Sequence, residues 1–103
     1  MGITIDTYVP FPNFPEFTTT AYICFDINNP ITIRRDMQTP SVYNLEACFR
    51  VYKTLQDRTD NPNSSINLIM RSIRDINMAG NISTIAYNDL KTNFPNATIV
   101  DDL

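Results

Sequence analysis

Residues 10–17 constrain this chain more than any other stretch. Pro10, Pro12 and Pro15 lie there among Phe11, Phe14 and Phe17. A proline has no backbone N–H and a fixed φ, so a run of them cannot sit inside a sheet ladder or a helix interior. The segment is therefore expected to be extended, to lie outside any central strand pairing, and to separate a strand before it from a strand after it. Its three Phe side chains then either cover the open end of a sheet or form an exposed apolar surface. The second reading makes Phe11, Phe14 and Phe17 the candidate interaction residues, facing a groove on a partner or a second copy of the chain.

Strand patterns flank the segment. Residues 3–9 alternate apolar and polar side chains, as a half-buried strand does. In residues 18–27, Thr19, Ala21, Ile23, Phe25 and Ile27 share one face, and Thr18, Thr20, Tyr22, Cys24 and Asp26 the other. Residues 31–37 alternate again through Ile31, Ile33 and Met37. Matching the apolar faces predicts a hairpin around Asn28, Asn29 and Pro30, with Ile27 opposite Ile31 and Phe25 opposite Ile33. Its outer face, carrying Tyr22 and Arg34, is expected to stay wet. Arg35 falls on the inner face of that register, so it needs an acid such as Asp36, Glu46 or Asp57, snorkels past the sheet edge, or marks a bulge.

The second half carries helical spacing. Thr39 and Pro40 suit a helix start, and Val42, Leu45, Phe49, Tyr52 and Leu55 recur every three or four residues. After the break at residues 60–63, Ser64 or Ser65 caps a second stripe of Ile66, Ile69, Ile73 and Ile76, which Gly80 ends. A third helix is expected near 83–93, with Ile85, Ala86 and Leu90 inward, and a short edge strand or tail over 97–103. The expected fold is α+β in a single domain over 1–103. A small antiparallel sheet from strands within 3–37 packs against two or three C-terminal helices within 39–93.

Chemistry is excluded by counts. The 103 residues include no His, only two Gly and only two Cys, at positions 24 and 48. The usual general base, a glycine-rich phosphate loop and a zinc cluster are all missing, so no catalytic residue, metal or cofactor is expected. Both thiols read as structural. The net charge of −3 is not segregated along the chain, and no basic arm is available for bulk phosphate binding. No apolar run is long enough to span a membrane, and residues 1–20 lack the pattern of a secretory leader. An intracellular chain, cytoplasmic or nuclear, is therefore expected. The 12 Asn and 13 Ile would fit an AT-rich gene such as a small viral one, within a host cell, although only two Lys run against it.

These readings leave a non-catalytic protein-interaction module, self-associating or bound to another protein, for which a small viral accessory or structural protein is a candidate. The alternative is a nucleic-acid (RNA) binding protein. It would use Tyr22 and Arg34 on the hairpin with Arg71 and Arg74, three apart on the second helix.

Overall fold

The computed structural model describes residues 2–38, 42–75 and 81–102. Six strands and two helices occur among them: β1 (Gly2–Tyr8), β2 (Thr19–Phe25), β3 (Ile31–Arg35), β4 (Tyr43–Tyr52), α1 (Leu55–Asp60), β5 (Asn67–Asp75), α2 (Ile82–Lys91) and β6 (Ile99–Asp102). All of the pairings are antiparallel. β4 is the organising strand. Along one edge β5 pairs with it from Tyr43↔Asp75 to Val51↔Asn67. Its other edge is shared: β3 takes Tyr43 to Ala47, and β2 takes Phe49 to Tyr52. β1 then pairs with β2, and β6 with β1.

This sheet overturns the expected α+β arrangement. The stretches read as a first and a second helix form β4 and β5 instead. In β4, the buried Leu45, Ala47, Phe49 and Val51 alternate with the less buried Asn44, Glu46, Cys48 and Arg50. A strand closed on both edges by partners satisfies every backbone group, and that non-local pairing overrides a local helical stripe. β5 alternates in the same way, with Ile69, Arg71 and Ile73 facing the side of α2 and Leu68, Met70, Ser72 and Arg74 facing away. α2 occupies the place of the third expected helix, and β6 that of the short C-terminal strand. The expected helix-end residues Thr39, Pro40 and Gly80, together with Ile76, lie outside the described residues.

The expected hairpin is also replaced. β2 and β3 do not pair with each other; they follow one another along β4, and residues 26–30 bulge out opposite Cys48. Asp26 N–H donates to the Cys48 carbonyl and Cys48 N–H donates to the Pro30 carbonyl, both at 2.9 Å. Ile27 is therefore 59% exposed rather than facing Ile31. A ten-residue β4 is long enough to hold both strands end to end. Arg35 keeps the parity of Ile33 but lies beyond the core. It donates to the Tyr43 hydroxyl at 3.1 Å and sits 5.5 Å from that ring's centroid. Tyr43, rather than Asp36, Glu46 or Asp57, is its partner.

One face of the sheet is covered by α2, and the other only around β2 and the end of β4. On the first, Ile3, Ile5, Ala21, Ile23, Leu45, Ala47, Phe49 and Val51 pack with Ala86, Tyr87 and Leu90 of α2. The spacing of those three places them on one helical face. Asn81 caps α2 by accepting the Thr84 N–H, and Lys91 in its last turn pairs with Asp101 at 2.8 Å. The Tyr87 hydroxyl accepts the N–H of Phe25 at 3.2 Å, past the end of the β1 pairing. Burial raises the Tyr87 phenol well above its ordinary range, so it stays protonated. The other face is wet at its β3 end, where Arg34 is exposed as expected, but not around Tyr22. Tyr22, Cys24 and Tyr52 form a second buried cluster there, and the Tyr52 hydroxyl donates to the Pro62 carbonyl of the segment that follows α1. Gly2 permits this packing, because a Cβ at that position would stand 2.5 Å from the end of the Tyr22 ring and 2.8 Å from the Ile23 carbonyl oxygen. Among the described residues no helix is long and apolar enough to cross a membrane.

Candidate interaction surface

The Pro/Phe segment is the connection between β1 and β2, which meet at Tyr8↔Thr19. It lies outside the ladder as expected, yet it is turned rather than extended. Phe14 N–H donates to the Phe11 carbonyl at 2.9 Å, and Phe17 N–H donates to the Phe14 carbonyl at 3.1 Å. Two successive turns therefore share Phe14. Each has proline in its second position, at Pro12 and Pro15, where a fixed φ suits a turn.

The spacing of three brings the Phe residues together at successive turn corners. Phe11, Phe14 and Phe17 are 59%, 52% and 58% exposed, and all three line a hollow of about 310 Å³. The rings of Phe14 and Phe17 are tilted against each other with centroids 6.1 Å apart. Phe11 also borders a neighbouring hollow of about 500 Å³, lined by Pro10, Thr19, Lys53 and Ile66. None of the three Phe residues belongs to the main core. The base of the segment is anchored: the Tyr8 hydroxyl accepts from Asn67 at 2.8 Å, and the Tyr8 ring meets Phe94 edge-on at 6.3 Å.

The residues proposed for nucleic-acid contact are dispersed. Tyr22 is 1% exposed in the second cluster and offers no stacking platform. Arg71 lies on the α2 side, where it donates to Asp89 at 2.7 Å and to Asn93 at 2.8 Å. Arg34 and Arg74 do meet, both opposite Asn44 on the other face, but Glu46 shares their hollow and Arg74 is paired with Asp36 at 3.1 Å. Arg71 and Arg74 are separated because they share a face only if residues 67–75 are helical, and in a strand they point to opposite sides.

A polar cluster holds the bulge between β2 and β3. Asp26 is buried and accepts from Arg50 Nε at 2.8 Å and from Asn28 N–H at 3.3 Å. Arg50 also donates to Ser65 at 3.3 Å. The Arg50 hydrogen bond is the main cause that holds the Asp26 carboxyl below the usual carboxylate range, against the opposing effect of burial. A depressed carboxyl stabilises the fold fully above its unfolded value of about 3.9, and the contribution is lost as pH falls through the folded value. Asp26→Asn should therefore cost about 1–2 kcal/mol at neutral pH. Urea unfolding should show the gap between wild type and variant closing below about pH 4; a constant gap would assign Asp26 a role other than its charge.

The two thiols are free. Burial raises both, and the Asp26 carboxylate raises Cys48 further, so neither is poised as a thiolate. Among the described residues no group of three or more His, Cys, Asp or Glu is placed to hold a metal ion. The sequence reading placed Ile66 in a helical stripe and missed Leu68 and Met70; the three are 37%, 52% and 74% exposed. The alternation of Leu68, Met70 and Ser72 with Ile69, Arg71 and Ile73 was the available signal. Comparison of the chain with protein-family models, with curated proteins and with solved structures returned no match.

Proposed function

We propose that this protein is a non-catalytic interaction module that associates with a second copy of itself through Phe11, Phe14 and Phe17. The observation that carries this reading is the exposed three-ring hollow built on consecutive proline turns. At just over half exposure, each ring leaves on the order of 100 Å² of apolar surface in water. Together they reach the few hundred Å² that marks a contact site on a soluble protein. The prolines already restrict the segment, so ordering it on contact costs little entropy. Apart from the Thr19 hydroxyl and the Lys53 amine, the two adjoining hollows carry no reactive group. Apposing two such patches with their proline flanks approaches the lower end of specific interfaces, roughly 1,000 Å². A micromolar-range dimer is the expected strength.

Sedimentation velocity of wild type at ~100 μM should show dimer, and Phe11→Ser with Phe14→Ser should weaken association at least about tenfold. Because both side chains lie outside the core, the double variant should keep its cooperative unfolding. A monomeric wild type at that concentration, or a double variant that loses cooperative unfolding, would overturn the reading.

A further inference from the structure

The sheet has three strand edges without a described partner, on β3, β5 and β6. They are not equivalent. β3 is five residues long and carries the exposed Arg34 and Arg35, and β6 is four residues long and carries Asp101. Short length and exposed charge are the usual means by which proteins blunt an edge. β5 has nine residues and no proline; its Arg71 and the exposed Arg74 are both held in ion pairs, and it presents the exposed apolar side chains of Leu68 and Met70 beside Ser72.

The hydrogen-bond phase of β4 fixes which β5 groups point outward. Val42 accepts from Asp36 N–H, and Cys48 bonds to Asp26 and Pro30, so even-numbered β4 residues turn their backbone groups away from β5. Odd-numbered β4 residues then bond to β5, where Ala47 faces Arg71 and Phe49 faces Ile69. It follows that Leu68, Met70, Ser72 and Arg74 direct their N–H and C=O groups to the free edge. The Leu68 N–H is taken by the Asn67 side chain at 2.9 Å. Met70 and Ser72 form the open centre of the edge.

We infer that β5 pairs antiparallel with β5 of a second copy about a two-fold axis at Arg71, on a surface distinct from the Phe hollow. In this register Met70 of each copy exchanges both backbone hydrogen bonds with Ser72 of the other. Ile69 then faces Ile73, and Leu68 lies along the Arg74 stem. The two-fold sets Arg71 opposite Arg71 of the second copy, a like-charge pair whose cost the existing ion pairs reduce. Arg71 is already paired with Asp89 and Arg74 with Asp36, so both guanidinium groups arrive neutralised. A single-strand pairing buries less than the roughly 1,200 Å² of a standard complex, so this contact is weak and depends on concentration.

The test uses the full chain in the Phe11→Ser, Phe14→Ser background, so that association through the Phe hollow cannot produce the signal. Amide hydrogen exchange is followed as concentration rises from ~10 μM to ~1 mM, across the range of weak association. The Met70 and Ser72 amides should slow at least about tenfold relative to the low-concentration sample. Ser72→Pro removes an outward N–H while leaving the β4 ladder intact, as edge prolines do, and should abolish the slowing. Met70→Lys, which keeps every backbone group, should abolish it too if the proline variant fails to fold. Exchange of Met70 and Ser72 that ignores concentration overturns the inference, as does slowing that survives Met70→Lys or slowing confined to β3 or β6.

Discussion

Phe49→Ala is expected to cost about 3–5 kcal/mol, the range for truncating a buried Phe. Phe49 is fully buried in the middle of β4. Its ring stacks on Phe25 at 5.0 Å and 15°, and meets Tyr87 edge-on at 5.3 Å. Phe25 and Ile69 stand opposite it on the two flanking strands. The hole would thus be walled by β2, β5 and α2, which are held in place by their own ladders and cap, so collapse into it is restricted. For a domain of this size the loss corresponds to a melting temperature lower by roughly 15–30 °C. Against a typical total of about 5–15 kcal/mol, the variant would be marginal. Phe49→Leu, which keeps part of the volume but loses both ring contacts, should cost clearly less than Phe49→Ala. Urea unfolding of both variants checks this, and equal costs would show that Phe49 does not occupy a rigid site.

Tyr52→Ala should cost nearly as much but act on the opposite face. Tyr52 is fully buried with Tyr22 and Cys24, and its hydroxyl is bonded to Pro62. The segment after β4 returns across this face through α1, whose first turn is capped by Thr54 accepting the Asp57 N–H at 3.1 Å. It rejoins the sheet where Ile66 N–H donates to the Val51 carbonyl at 2.7 Å. A helix of six residues has little stability of its own. Removing the ring takes away the packing under that cover, at about 3–5 kcal/mol. Tyr52→Phe, which loses only the hydrogen bond, should cost about 1–2 kcal/mol. Hydrogen exchange should rise first in residues 54–66, because this face can open before the α2 face does. Simultaneous loss of protection throughout β1 and α2 would mean that the two clusters unfold as one.

The exclusion of the Phe segment from the sheet was visible in the residues because prolines act locally: wherever the chain runs, Pro10, Pro12 and Pro15 keep it out of a ladder. The segment's turned shape was less visible, since a proline tolerates both an extended chain and the second position of a turn. The Arg and Tyr surface was misread because its members were placed on a hairpin and a helix that the fold does not contain. Tyr22 is buried on a strand covered on both sides, and Arg71 answers Asp89 of α2, 18 residues away in sequence.

By itself the sequence determined the strands around residues 2–8, 19–25 and 31–35, the helix at 82–91 and the exclusion of the Pro/Phe segment from the sheet, and it left residues 97–103 open between an edge strand and a tail. In each element so determined, one local pattern dominates. Only the tertiary structure decided residues 43–52 and 67–75. Leu45, Phe49 and Tyr52 satisfy a helical period while Leu45, Ala47, Phe49 and Val51 satisfy a strand period. Tyr52 and Val51 are both fully buried, because at the end of β4 each face of the sheet has its own cover. Only this end of β4 is buried on both faces and loses the alternation; for the rest, apolar residues fit both periods, and the ladder partners that decide between them lie too far along the chain for any local pattern to name them.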